Sequence, residues 1–185
     1  MSEEASATIA AMTLHRGNLY LVGLPGAGKS TLGRQLARRL GKRFVDCDHE
    51  LEARTGVPIP TIFEIEGEAA FREREVQTLG ELAALDNIVL STGGGVVLRA
   101  ENRAYLKANG TVLYLHVEPG VLYERVRHAR HRPLLQIGDP QTRLHQLYAE
   151  RDALYREVAD HVVDAVRENV LRYVRMLDSD APQHA

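Results

Sequence analysis

A chain of 185 residues with 44% hydrophobic and 26% charged residues has the composition of one soluble globular domain, long enough to bury a core without disulfides or a structural metal. Its formal net charge of −2 excludes a global basic field that would draw it to nucleic acid or membrane. Its single cysteine, Cys47, excludes an internal disulfide and a cysteine-built zinc cage.

No apolar run approaches the ~20 residues that span a bilayer. The expectation is a cytoplasmic, monomeric protein that meets small molecules and neither nucleic acid nor membrane. Positive charge is unevenly divided, with 20 Arg against Lys29, Lys42 and Lys107. Arginine offers planar, bidentate recognition of carboxylate and phosphate, so arginine-bearing segments are candidates for binding such groups.

In chain order, residues 1–14 are small and polar and lack the basic-then-apolar order of a signal peptide. They are expected to form a disordered extension, with a single domain over residues 15–180. A β-prone run at residues 18–22 ends at Gly23. Leu32, Leu36, Ala37 and Leu40 then recur at helical spacing, and Gly41 supplies a stop. Phe44 and Val45 make a second short strand, running into Asp46-Cys47-Asp48. Helices are expected over residues 49–55 and 59–85, the second interrupted near Gly67. Ile88, Val89 and Leu90 form a third strand leading into Gly93, Gly94 and Gly95. Residues 112–117 and 161–163 give a fourth and a fifth, and a closing helix is expected at about 168–177. Strands alternating with helices predict an α/β fold with a parallel sheet, whose ligands bind at the carboxyl ends of the strands.

Gly23-Leu24-Pro25-Gly26-Ala27-Gly28-Lys29-Ser30 matches the phosphate-loop pattern G-x-x-x-x-G-K-[ST]. Its glycines let backbone N–H groups face phosphate oxygens, and the following helix adds the positive end of its dipole. Lys29 can reach the β- and γ-phosphates, and the Ser30 hydroxyl can ligate Mg²⁺. None of the lysines sits in an Asn-Lys-x-Asp guanine reader, which disfavours a GTPase. A small-molecule kinase needs a polar acceptor site opposite the γ-phosphate.

Asp46 and Asp48 are expected to face different sides and so to have different jobs, one serving Mg²⁺ and the other an acceptor hydroxyl. An ordinary acidic loop is the alternative. Arg72 and Glu75 are three apart on a helix and can pair, either as surface charges or in a site. Gly93, Gly94 and Gly95 permit close backbone approach to a ligand. The basic segment Arg125, Arg127, His128, Arg130, His131 and Arg132, followed by Pro133, reads as a mobile lid over residues 125–138 that could bring an arginine onto the transferring phosphate. No aromatics interleave with these charges as a nucleic-acid stacking surface requires. The histidines show no metal-ligand spacing.

In this order the pieces resemble the shikimate kinase family over residues 18–163. The matching elements are Gly-x-x-Gly-x-Gly-Lys-Ser-Thr (Gly23 to Thr31), Phe-x-Asp-x-Asp (Phe44 to Asp48), and Phe71-Arg72 with Glu75. Gly93-Gly94-Gly95, Arg132-Pro133-Leu134-Leu135, and Arg151 followed by Leu154-Tyr155 complete the set. The resemblance implies a three-layer P-loop kinase fold with a five-stranded parallel sheet, a substrate-binding helical region over about residues 47–75, and ATP and Mg²⁺ as cofactors. It implies transfer of the γ-phosphoryl group to the 3-hydroxyl of shikimate, on the route to chorismate and the aromatic amino acids. Residue by residue, it implies that Asp48 holds shikimate hydroxyls and that Arg72 and Arg151 clamp the carboxylate. Gly94 and Gly95 would line that pocket. Gly26, Ala27, Gly28, Lys29, Ser30 and Thr31 would hold the phosphates, and Ser30 and Asp46 would serve Mg²⁺. Arg132 would close on the phosphates, and Arg125 would lie over adenine.

Two positions depart from the family pattern: Cys47 stands where threonine is usual, and Asp164-Ala165-Val166-Arg167 replaces the usual adenine loop. Two rivals remain open. One is a kinase for another hydroxy acid such as gluconate. The other is a non-catalytic ligand sensor, which would usually carry a DNA-binding module that the stretch before the first strand is expected to be too short to form.

Overall fold

The computed structural model describes residues 17–127 and 139–165. The expected extension at 1–14, residues 128–138 of the expected lid with Arg132, and the expected closing helix at 168–177 lie outside the described residues.

Strands β1 (Asn18–Val22), β2 (Arg43–Asp46), β3 (Ile88–Ser91), β4 (Gly110–His116) and β5 (His161–Asp164) form one sheet in the order β2-β3-β1-β4-β5. Every neighbouring pair is parallel. A parallel sheet covered on both faces demands continuous rather than alternating apolar strands. Accordingly β1 and β3 are buried at every position. The order places β1 and β3 side by side, yet the chain leaves β1 toward β2 and leaves β3 toward β4. Their following loops therefore diverge and open a crevice at the carboxyl ends, where α/β sheets take ligands.

Helix α1 (Lys29–Leu40) turns Leu32, Gly33, Leu36 and Ala37 to the sheet. Gly33 lets it lie close, because a Cβ there would stand 2.6 Å from the Phe44 ring and 3.0 Å from Leu21. Gly41 ends the helix as expected. Helix α2 (Cys47–Thr55) begins two residues earlier than the sequence suggested, capped by the Asp46 carboxylate, which accepts from the His49 N–H at 3.3 Å.

Helix α3 (Ile59–Ala83) is broken at Gly67, whose φ of 82° and ψ of 174° fit glycine and confirm the predicted interruption. Around Leu51, Ile62 and Phe71, α2 and the part of α3 on either side of the break share a small apolar cluster of their own. The second half of α3 joins the main core through Leu79, Leu82 and Ala83. Helices α4 (Ala100–Asn109), α5 (Pro119–Val126) and α6 (Pro140–Val158) complete the layers. No helix among the described residues is long and apolar enough to cross a membrane.

Candidate active site

The loop after β1 takes the conformation its glycines anticipate. Gly26 and Gly28 have φ of 91° and 98°, a region that side-chain-bearing residues rarely enter. Within the loop the Ala27 N–H donates to the Leu24 carbonyl at 3.1 Å. No side chain caps α1 and no acidic residue stands in its first turn, so the positive end of the helix is left for an anion. Lys29 arches back over the loop, its Nζ donating to the carbonyls of Gly23 at 2.7 Å and Leu24 at 3.1 Å. Ala27 is buried and Thr31 exposed in the first turn of α1.

The Ser30 hydroxyl donates to Asp46 Oδ2 at 2.7 Å and lies 3.1 Å from the Ser91 hydroxyl. Ser91 is the last residue of β3, in register with Asp46 on one side and Leu21 on the other. A serine hydroxyl beside a carboxylate is a hard oxygen donor pair, which suits Mg²⁺ held by one or two protein groups together with phosphate oxygens. Ser30 and Asp46 thus fit the ion expected of them. Among the described residues no cluster of three or more His, Cys, Asp or Glu offers a metal cage.

Asp46 and Asp48 do diverge, but not as an extended segment. Continued extended chain would put residues two apart on the same face. Because α2 starts at Cys47, Asp46 stays at the strand end with Ser30, while Asp48 enters the first turn of the helix and swings toward the loop after β3. Cys47, between them, is 1% exposed, and burial, then Asp48, pushes its thiol well up. It is a packing residue held as the neutral thiol.

Gly93, Gly94 and Gly95 meet four side chains from elsewhere in the chain. A Cβ on Gly93 would stand 2.8 Å from both Asp48 Oδ1 and Glu75 Oε1. One on Gly94 would stand 2.7 Å from Cδ of Pro25 in the phosphate loop, and one on Gly95 would overlap the Arg72 guanidinium. None of the three has a positive φ, so they are glycines for space. Arg72, 8% exposed, gives Nη1 to Glu75 Oε2 at 2.9 Å and Nη2 to Glu68 Oε1 at 3.0 Å. Burial alone would lower its pKa, but Glu75 and Glu68 outweigh that and hold it above its ordinary value. From α6, Arg151, 3% exposed, donates Nη1 to the Gly94 carbonyl at 3.1 Å. Its buried Nε has no hydrogen-bond partner and sits 3.8 Å from Glu150. Burial, then the Asp46 carboxylate, raises the Asp48 carboxyl above the usual range against the pull of Lys29. Burial likewise raises Glu75, against the pull of Arg72.

The structure therefore gathers Asp48, Arg72, Gly94, Gly95 and Arg151 beside the phosphate loop. Arg125 stands apart at the end of α5 and donates to the Ala165 carbonyl at 2.6 Å, just past β5. A separate cavity of about 390 Å³ between α2 and α3, floored by Leu51 and Ile62, contains none of these residues. Its rim guanidiniums, Arg54 and Arg74, are already paired with Glu50, Glu81 and Glu66. Sequence reasoning assigned no role to Ser91 and gave Glu75 only its pairing with Arg72. A serine closing an apolar strand is a faint signal. For Glu75 the spacing from Arg72 was visible, but not its burial.

A family model described as shikimate kinase matches residues 25–178. The chain belongs to the shikimate kinase family. It is 58% identical over 177 residues to a shikimate kinase of Dechloromonas aromatica (strain RCB), covering 94% of this chain and 96% of the relative. Among solved structures, a shikimate kinase from Acinetobacter baumannii in complex with shikimate aligns with a TM-score of 0.82 at 42% identity, over 95% of this chain and 99% of that one. A gluconokinase from Sinorhizobium meliloti 1021 aligns with a TM-score of 0.54 at 18% identity, over 90% of this chain and 91% of its own, and shares the fold alone.

Proposed function

We propose that this chain transfers the γ-phosphoryl group of ATP to the 3-hydroxyl of shikimate, releasing ADP, shikimate 3-phosphate and a proton. The observation that carries it is the meeting, on one glycine loop, of a carboxylate and two buried guanidiniums directly against the phosphate loop. Shikimate is a small ring acid with one carboxylate and several hydroxyls. Guanidinium forks suit its carboxylate and a carboxylate suits its hydroxyls. Arg72 and Arg151 clamp the carboxylate, the unsatisfied Arg151 Nε being one donor for it. Gly94 and Gly95 line the pocket through backbone.

Asp48 accepts a hydrogen bond from the 3-hydroxyl and orients its oxygen toward the γ-phosphorus. As that oxygen bonds to phosphorus, the bond to the β–γ bridging oxygen breaks. The hydroxyl proton departs late, as a loose transition state allows. Residues 26–31 hold the phosphates through backbone N–H groups, and Lys29 and Arg132 neutralise charge on the transferring group. Ser30 and Asp46 would hold Mg²⁺, which would supply neutralising charge for the phosphates. Arg125 lies over adenine beside Ala165. The protein acts as a cytoplasmic monomer built of a single kinase domain over residues 15–180, with no nucleic-acid or membrane partner.

A coupled ADP-release assay with ATP and Mg²⁺ tests this across shikimate, gluconate, AMP and no acceptor. ADP release that depends on shikimate is expected. Activity only with gluconate would discard the pocket assignment, and ATP binding with no turnover would favour a sensor. In the same assay Arg72→Ala is expected to raise the KM for shikimate about 30-fold or more, a lost charge-assisted contact being worth at least ~2 kcal/mol. The KM for ATP should stay near wild type; an unchanged shikimate KM removes Arg72 from the clamp.

A further inference from the structure

Tyr155 lies one helical turn beyond Arg151 on α6, and the phosphoryl transfer above gives it no task. Its side chain is wholly buried, and its ring lies 4.9 Å from that of Tyr114, tilted by 30°. Its hydroxyl donates to the Gly94 carbonyl, the acceptor that also takes Arg151 Nη1. A carbonyl oxygen has two lone pairs, and here both are used. On the other side Gly94 abuts the Pro25 ring. The Gly94–Gly95 peptide is thus wedged between the phosphate loop and α6.

A peptide flanked by two glycines has no Cβ on either side to resist rotation. In a planar trans peptide the C=O of one residue and the N–H of the next point in opposite directions. Holding the Gly94 carbonyl toward α6 therefore aims the Gly95 N–H away from α6. We propose that Tyr155 is a positioning residue for the acceptor: its hydroxyl pins the Gly94 carbonyl, setting the Gly94–Gly95 peptide and keeping it in register with the phosphate loop. The same bond shares the carbonyl with Arg151, whose remaining guanidinium donors stay directed to the acceptor carboxylate. The inference rests on the assignment of Gly94 and Gly95 to the acceptor pocket.

Tyr155→Phe removes the hydroxyl and keeps the ring against Tyr114. With the full chain, ATP and Mg²⁺, the KM for shikimate is expected to rise about 5- to 10-fold, the range for one net hydrogen bond. The KM for ATP should hold within about 2-fold on the same scale. Amide hydrogen exchange at Gly95 should accelerate while the melting transition stays cooperative. The split between the two KM values is the readout that a merely structural role would not produce. An equal rise in both KM values, or no change in KM and exchange, would overturn the proposal. Faster exchange with an unchanged shikimate KM would also overturn it, by showing a pinned loop that does not line the acceptor pocket. A wild-type protein silent with shikimate would instead sink the functional reading itself.

Discussion

Asp48→Asn is expected to lower kcat by about 10³-fold, because the neutral amide no longer holds the attacking hydroxyl in line, and misplacement by about 1 Å alone costs on the order of 10²-fold. The dissociation constant for ATP, measured by calorimetry, should stay nearly unchanged, because the phosphate contacts are proposed for Gly26 to Thr31, whereas the divergence at Cys47 takes Asp48 to the glycine loop after β3. A large loss of ATP affinity in this variant would place Asp48 on the nucleotide instead. The same variant should melt higher than wild type at neutral pH. Burial, then Asp46, raises the folded-state pKa of Asp48, so its ionised form is a cost to the folded protein that the neutral amide does not carry. That advantage shrinks as pH falls through the raised folded value and is gone below the ordinary value of 3.8, where the wild-type carboxyl is neutral in both states. Function and stability pull in opposite directions at this position, as they do at many sites built to hold charge.

Glu75→Ala is expected to destabilise the protein by about 3 kcal/mol, the scale for stripping one partner from a buried ion pair. Glu75 is 1% exposed and holds Nη1 of Arg72, which would then be left with Glu68, a mostly solvent-facing carboxylate. A thermal melt reads this as a fall of roughly 6–12 °C for a chain of this size. Because Arg72 underlies Gly95, the KM for shikimate should rise as well. Glu75→Gln keeps the volume and a hydrogen-bond acceptor and should recover part of the stability. If Glu75→Ala melts like wild type, Arg72 is held by Glu68, and the buried pair is not what fixes the guanidinium.

These expectations divide by how far apart in the chain the interacting groups lie. The phosphate loop was legible residue by residue, because backbone conformation there is local: glycines at the positive-φ positions, then a helix with an uncapped, acid-free first turn. The break at Gly67, the stop at Gly41 and the five apolar runs were legible for the same reason. The acceptor site was legible as a set of candidates but not as an arrangement. Arg72 and Glu75 could equally have been solvent-exposed charges on α3. Asp46 and Asp48 part company only because a helix starts between them, two residues before the apolar pattern announced it. Gly93, Gly94 and Gly95 read as close approach, but their neighbours Asp48, Pro25, Arg72 and Glu75 were not named by any local signal. Ser91 reaches Ser30 only because β3 is inserted between β1 and β2.

By itself the sequence determined the phosphate-binding chemistry, the parallel α/β architecture and the family, because each rests on short-range periodicity, glycine placement or ordered motifs. Only the tertiary structure decided which face of α3 is buried, where Asp48 points, and that Tyr155 reaches Gly94 across 61 positions of chain. Such contacts depend on strand order and on the depth at which a helix lies against the sheet, and no run of neighbouring residues encodes either.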